Sequence, residues 1–130
     1  MAQEDKFKRE IDRIGLALAK LLSMLLNKAD QPEEAVKAVV QQTYHELGID
    51  LEEFLALKES DDVDFLVKDK KFSIDHLRNF GNLLYELAHK TTDEQKKQLL
   101  LKKVKNIYRY VSANASTLYL DVEYRLKELG

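Results

Sequence analysis

Cysteine and tryptophan are absent from this chain of 130 residues, proline occurs once, at Pro32, and glycine occurs four times. The lack of cysteine excludes a thiol nucleophile, a disulfide framework and a thiolate metal site. So little glycine and proline leaves small room for the tight turns on which β-proteins depend. The glycines stand far apart, at Gly15, Gly48, Gly81 and Gly130, so no glycine-rich loop can wrap a phosphate. Long apolar runs are also missing. The longest, Ile14 to Leu26, covers 13 positions, short of the ~20 that a membrane-spanning helix needs. Neither charge sign dominates: the net formal charge of −2 gives no global field toward nucleic acid or a membrane surface. Acidic residues precede the apolar run, Lys20 interrupts it, and Asn27-Lys28-Ala29-Asp30 makes a poor cleavage site, so it does not read as a signal peptide. The expectation is an unprocessed cytoplasmic protein.

What is present is apolar sequence at helical spacing. Apolar residues at 45% and charged residues at 34% fit a globular chain. A chain this long is one domain by size and buries roughly two thirds of its unfolded surface. Phe7, Ile11, Ile14, Leu18, Leu21 and Leu25 recur at alternating intervals of four and three, which places them on one helix face. Gly15, Ala19, Leu22 and Leu26 form a second row beside them. The stripe is wide enough to demand a cover. That cover is either the rest of the chain, making the row a core, or a second protein surface, making Phe7, Ile11, Ile14, Leu18, Leu21 and Leu25 a candidate interface. Lys8, Arg9, Arg13 and Lys20 would suit a membrane-surface helix, but tryptophan is absent and the other helices need such an apolar face themselves.

This first helix is expected over Glu4 to Asn27. Asp30 or Gln31 then caps a second helix, with Pro32 in its first turn and Glu33 and Glu34 at the positive end of the dipole. Ala35, Val36, Val39, Val40, Tyr44 and Leu47 carry it to Gly48, a left-handed C-terminal residue, with Ile49 folding back on Tyr44. Asp50 and Glu53 form a capping box for a short helix to about Glu59. Ser60 caps a further piece, Asp61 to Lys68, and Lys68 to Lys71 makes a polar turn. Ser73 caps a helix over Ile74 to Lys90. Thr92 with Gln95, or Thr91 with Glu94, opens the next, Asp93 to Ala113, with Leu100, Val104, Ile107 and Val111 on one face. Ser112 to Ser116 holds neither glycine nor proline, so residues 93–129 read as one helix or as two, the second capped by Ser116. The fold class is all-α, with five to seven helices in antiparallel hairpins and a long amphipathic N-terminal helix.

Within the C-terminal half, Leu77-x2-Phe80-Gly81-x2-Leu84 resembles the first helix of a tetratricopeptide repeat, in which a small residue lets two helices approach. Leu100-x3-Val104-x2-Ile107 has the internal spacing of the second helix, but about seven residues late for the 34-residue period and without the usual proline. The chain as a whole resembles a group of bacterial proteins of uncharacterised function built from an amphipathic N-terminal helix and helical hairpins. The resemblance implies a helical interaction module and carries over no functional residue.

Side chains capable of chemistry are few. The three histidines are His45, His76 and His89. Glu86-x2-His89 has the spacing of di-iron bundles, but the second copy such a site requires is missing, since Gln42 and Ser73 precede the other histidines by three. No metal or other cofactor is expected. Neither Gly-x-Ser-x-Gly nor His-Glu-x-x-His occurs, and paired acids such as Asp61 and Asp62 are what helix starts carry anyway. Charge is unevenly distributed. Glu46 to Asp64 holds eight acids against one base, and Lys90 to Arg109 holds seven bases against two acids. Lys102, Lys105 and Arg109 lie opposite Val104 and form a candidate anion-binding face, with Tyr110 near it, whereas Tyr108 falls on the apolar side. Weak attraction between the acidic middle and the basic helix is the competing use of these charges. Tyr108, Tyr110, Tyr119 and Tyr124 suit the edge of a core, where a ring is covered and a hydroxyl is not. The sequence therefore reads as a non-enzymatic protein-interaction or scaffold module, with self-association as one form. Anion or nucleic-acid binding is the alternative, and an enzyme whose site the sequence conceals is third.

Overall fold

Helix α1 runs Ala2–Asn27 and supplies the inner wall of the core. The computed structural model describes residues 2–27 and 30–130, with side chains from Arg13 onward apart from the turn at 28–29. Phe7 and Ile11, the first two members of the apolar row, lie outside the described side chains, as does the Lys28-Ala29 turn. Leu18, Leu21 and Leu25 are completely covered by the rest of the chain, and Ile14 packs half-buried against the same core. The row is thus internal from Leu18 onward. For those three residues the interface reading is corrected, because a side chain with no exposed surface in the single chain has none to offer a partner.

The remaining elements are α2 (Pro32–Leu47), α3 (Leu51–Ala56), α4 (Asp62–Asp64) continued by a π turn (Phe65–Asp69), α5 (Ile74–Lys90), α6 (Glu94–Asn114) and α7 (Leu120–Leu129). These seven helices and the absence of any strand among the described residues make the fold all-α. α1 packs on α2 and α5, α5 on α6, and α6 on α7, so successive long helices form hairpins. Among the described residues no helix is long and apolar enough to cross a membrane.

Local chemistry sets most boundaries. Pro32 opens α2 because its missing N–H is one that a first turn leaves unpaired anyway; the N-cap is Gln31, with no side-chain bond. α2 ends at Gly48, whose φ of 65° is left-handed and whose N–H donates to the Tyr44 carbonyl. Ile49 turns into the core. Tyr44 does not join the buried face of α2. Thr43 takes that place, its hydroxyl donating to the Val39 carbonyl at 2.7 Å, and Tyr44 stands exposed. Asp50 caps α3 by accepting from the Glu53 N–H at 3.2 Å. Ser73 caps α5, where His76 replaces the usual glutamate of the box: its Nδ1 accepts from the Ser73 N–H at 3.1 Å.

Three boundaries differ from the sequence expectation. α6 is capped by Asp93, whose carboxylate accepts from the N–H groups of Gln95 and Lys96. Thr91 instead closes α5, its hydroxyl donating to the Leu87 carbonyl at 2.6 Å. Residues 93–129 form two helices. The first ends at Asn114, whose side-chain amide donates to the Tyr110 carbonyl, and the second begins after Tyr119 rather than Ser116. The expected Ser60-capped helix is only the short α4, which widens at once into a π turn closed by the Lys70 N–H on the Phe65 carbonyl at 3.2 Å.

The core is one cluster. Leu77, Phe80, Leu83, Leu84, Leu87 and Ala88 of α5 lie at its centre, with Leu100, Val104, Ile107, Tyr108 and Val111 of α6. Phe80 meets Phe54 and Phe72 edge-on, each at a centroid distance of 5.6 Å. Gly81 lies directly under the Tyr108 ring and beside Ile107. A side chain there would hold α5 and α6 apart, which is the role that the tetratricopeptide-like pattern assigns to its small residue.

Candidate functional site

An apolar slot opens where α2, α3, α5 and α6 meet. Val36 and Val40 of α2 form one wall, Leu51 and Leu55 of α3 the other, and Leu87 and Leu100 the floor. Its cavity volume is about 110 Å³. Sites that enclose small-molecule ligands run to about 300–1,000 Å³, so the slot suits a single large apolar side chain instead. Glu52 and Lys96 face each other across it, Oε1 to Nζ, at 3.5 Å. Both are exposed, so this pair contributes roughly 0–1 kcal/mol and opens readily.

The slot continues at either end into shallower ground of opposite charge. Beyond α3 lie Asp50, Glu52, Tyr44 and His45. At the α5–α6 corner lie Lys37, Lys90 and Lys96, with Glu33 and Asp93. Sequence reasoning placed Val36 and Val40 on the apolar side of α2 but did not bring them to a slot. Four helices build it, and the available signal was only that α2 has more apolar positions than one buried row can use.

Two polar clusters secure the frame around it. The first is a buried ion pair. Lys103 Nζ lies 3.2 Å from Asp62 Oδ2, and the two side chains are 4% and 0% exposed. Asp62 also accepts from Asn106 Nδ2 at 3.0 Å and from its neighbour Val63 N–H at 2.6 Å. Lys103 donates to the Leu57 carbonyl at 2.5 Å. On the sequence Asp62 read as an ordinary helix-start acid and Lys103 as one of seven solvated bases. Their attraction was expected to be a weak surface one, and burial corrects that. The signal was legible: Leu100, Lys103, Val104 and Ile107 share one helix face, so Lys103 occupies an apolar row.

The second cluster joins α5, α6 and α7. The buried Tyr108 hydroxyl donates to Asn82 Oδ1 at 2.6 Å and accepts from Arg125 Nη1 at 3.0 Å. Arg125 also lies over the Tyr85 ring at 4.2 Å, and Arg78 over the Tyr119 ring at 4.5 Å. Burial pushes the Tyr108 phenol up to about 12, against the pull of Arg125. Asp121 is partly buried, which alone would raise its pKa. The Arg78 guanidinium, with Nε at 3.2 Å, outweighs that and holds the carboxyl below its usual range. Tyr119 donates to Asp75. Tyr124 stands exposed, with Leu118 and Leu120.

The sequence-derived candidates divide. Lys102 and Arg109 are exposed and Lys105 half-exposed on the outer side of α6, and among the described residues none of the three forms an ion pair. His89 Nδ1 contacts the Tyr85 carbonyl at 2.8 Å. Among the described residues no group of three or more histidine, aspartate or glutamate side chains is placed to hold a metal ion. No protein-family model matches the chain, and neither a curated protein nor a solved structure shows significant similarity to it.

Proposed function

We propose that this chain is a non-enzymatic, cytoplasmic interaction module that docks a segment of another protein through the slot between α2 and α3. The open apolar slot carries this reading. It offers the half-buried Val36, Val40 and Leu55 to one anchoring side chain, over the buried Leu51, Leu87 and Leu100. A surface of this kind acts by placing one large apolar residue in a desolvated site, with charged neighbours at the rim fixing direction. The favoured occupant is an amphipathic segment with a leucine, isoleucine or phenylalanine anchor. Basic residues follow on the side facing Asp50 and Glu52, and acidic residues on the side facing Lys37, Lys90 and Lys96.

Peptide display on the folded chain tests this. Counter-selection uses Val40→Lys, whose stem can lie along the wall while its ammonium reaches toward Glu52. The expected enriched peptides share one apolar anchor with that charge order, and bind the Val40→Lys chain at least tenfold more weakly. Peptides that bind both chains alike, or no enrichment at all, would sink the slot as a docking site.

The cations Lys102, Lys105 and Arg109, which form no ion pair among the described residues, favour a second reading, an anion-binding face. It requires binding to a polyanion whose affinity falls steeply with salt, and absence of binding at low salt removes it.

A further inference from the structure

α7 is held in two different ways. Its backbone packs against α6, and its share of the core is Val122, buried, with Leu126 and Leu129 half-buried. Toward α5 the backbones stay apart, and long polar side chains bridge the gap. Tyr119 donates to Asp75. Arg78 pairs with Asp121 at 3.1 Å. Asn82 accepts from Arg125 at 2.9 Å, and Arg125 pairs with Glu86 at 3.9 Å. Tyr85 donates to Glu128 at 3.4 Å. Residue numbers rise together on both sides, so α5 and α7 run parallel along one ladder. A helix usually docks through an apolar stripe, whereas the face between α7 and α5 is polar.

The two ion pairs of the ladder are open to solvent. The Arg78 and Asp121 side chains are 35% and 31% exposed, and those of Arg125 and Glu86 are 24% and 27% exposed. Salt therefore weakens them. The buried Lys103–Asp62 pair is screened far less. The other three described pairs, Lys20–Glu46, Lys68–Asp64 and Lys96–Glu52, join elements that several buried apolar side chains already anchor.

α7 also has little helix stability of its own. It spans ten residues, fewer than the ~12–15 that a free helix needs. Its N-cap, Tyr119, makes no side-chain capping bond, while Asp50, Ser73 and Asp93 cap α3, α5 and α6. Once released, it loses its helical form. Residues 115–119 carry no helix and supply the hinge.

We infer that α7 is a salt-sensitive cover that detaches and unwinds as one unit, baring the polar face of α5 and the Tyr108 hydroxyl while α1 to α6 stay folded. Opening takes Arg125 away from Tyr108 and leaves the bond from Tyr108 to Asn82 in place. Local opening of this kind belongs to elements with few buried apolar contacts. None of the slot's residues lies on α7, so the cover and the slot stand or fall separately.

Amide hydrogen exchange on the full chain tests this, read residue by residue in 0.01 M and 1 M sodium chloride. That change shortens the screening length from about 30 Å to about 3 Å. Amides 123–129 should exchange about fivefold faster at the higher salt, the effect of two partly exposed ion pairs. The core amides of α5 and α6 should stay slow and nearly unchanged. Arg78→Met keeps an apolar stem and removes the charge. It should speed amides 123–129 already at low salt and flatten their salt dependence, with α6 unaffected. The salt series on the unaltered chain decides the matter even if that variant folds poorly. Amides of α7 as slow as those of α6, exchange of α7 that ignores salt, or an Arg78→Met chain in which α6 loosens as much as α7 overturns the proposal.

Discussion

Gly81→Ala sets two effects of similar size against each other. Alanine in place of glycine inside a helix normally adds about 0.8–1.0 kcal/mol through backbone entropy. Here the new methyl would lie 2.7 Å from Tyr108 Cε1, 3.1 Å from its Cδ1 and 3.3 Å from Ile107 Cγ2. Overpacking of this kind costs about 1–3 kcal/mol when neighbours can give way only slightly. The Tyr108 ring is poorly placed to give way, because its hydroxyl is tied to Asn82 at 2.6 Å and to Arg125 at 3.0 Å. Swinging the ring aside would forfeit part of those bonds, another 0.5–1.5 kcal/mol or so. The net expectation is a loss of about 1–2 kcal/mol, or roughly 4–8 °C in Tm. Urea unfolding followed by helical circular dichroism reads this as a lower midpoint at unchanged slope. Tyr108→Phe supplies the check on mechanism. Without its hydroxyl the ring can shift, so Gly81→Ala should cost less in that background than alone. A Gly81→Ala chain as stable as the parent, or more so, would refute the close approach of α5 and α6 at this point.

Two further outcomes follow from the polar clusters. Lys103→Met strands the fully buried Asp62 carboxylate and should cost about 3–5 kcal/mol. Adding Asp62→Asn, which keeps an acceptor for Asn106 and Val63, should restore much of it, and equal loss in the single and double variants would count against a buried pair. Tyr108 is raised to about 12, so its protonated form is favoured by folding. Its contribution is complete below the ordinary tyrosine value near 10 and is lost as pH climbs through 12. Phenolate absorbance should show late tyrosine ionisation together with unfolding, and Tyr108→Phe should remove one tyrosine's share of it.

The helices themselves were largely legible. Ser73, Asp50, Pro32 and Gly48 act on backbone groups within a few residues, so their chemistry is readable along the chain. The boundaries that shifted depended on competition. Asp93 outdid Thr91 and Thr92 because a carboxylate can accept two N–H groups at once, and Thr91 was engaged with Leu87. α4 was harder still. Asp62 is drawn inward to Lys103, 41 positions away; the apolar row on α6 marks Lys103, but no local pattern marks Asp62 as its partner.

For the site, the balance is reversed. The row Ile14, Leu18, Leu21 and Leu25 was visible, but whether it faced the chain's own core or another protein was not. Spacing fixes which residues share a face and says nothing of what lies against it. The same limit applied to Lys102, Lys105 and Arg109, whose common face follows from α6 alone.

By itself the sequence determined the helical class, the main stretches of helix and the apolar rows, because these arise from interactions between residues one to four positions apart. Only the tertiary structure decided which rows are covered. It set α5 and α6 close over Gly81 and buried Lys103 with Asp62. It also left a slot beside Val36 and Val40 and exposed Leu16 and Leu26 on the back of α1. Those outcomes depend on how several helices share one limited interior, and that is a property of their packing together rather than of any segment.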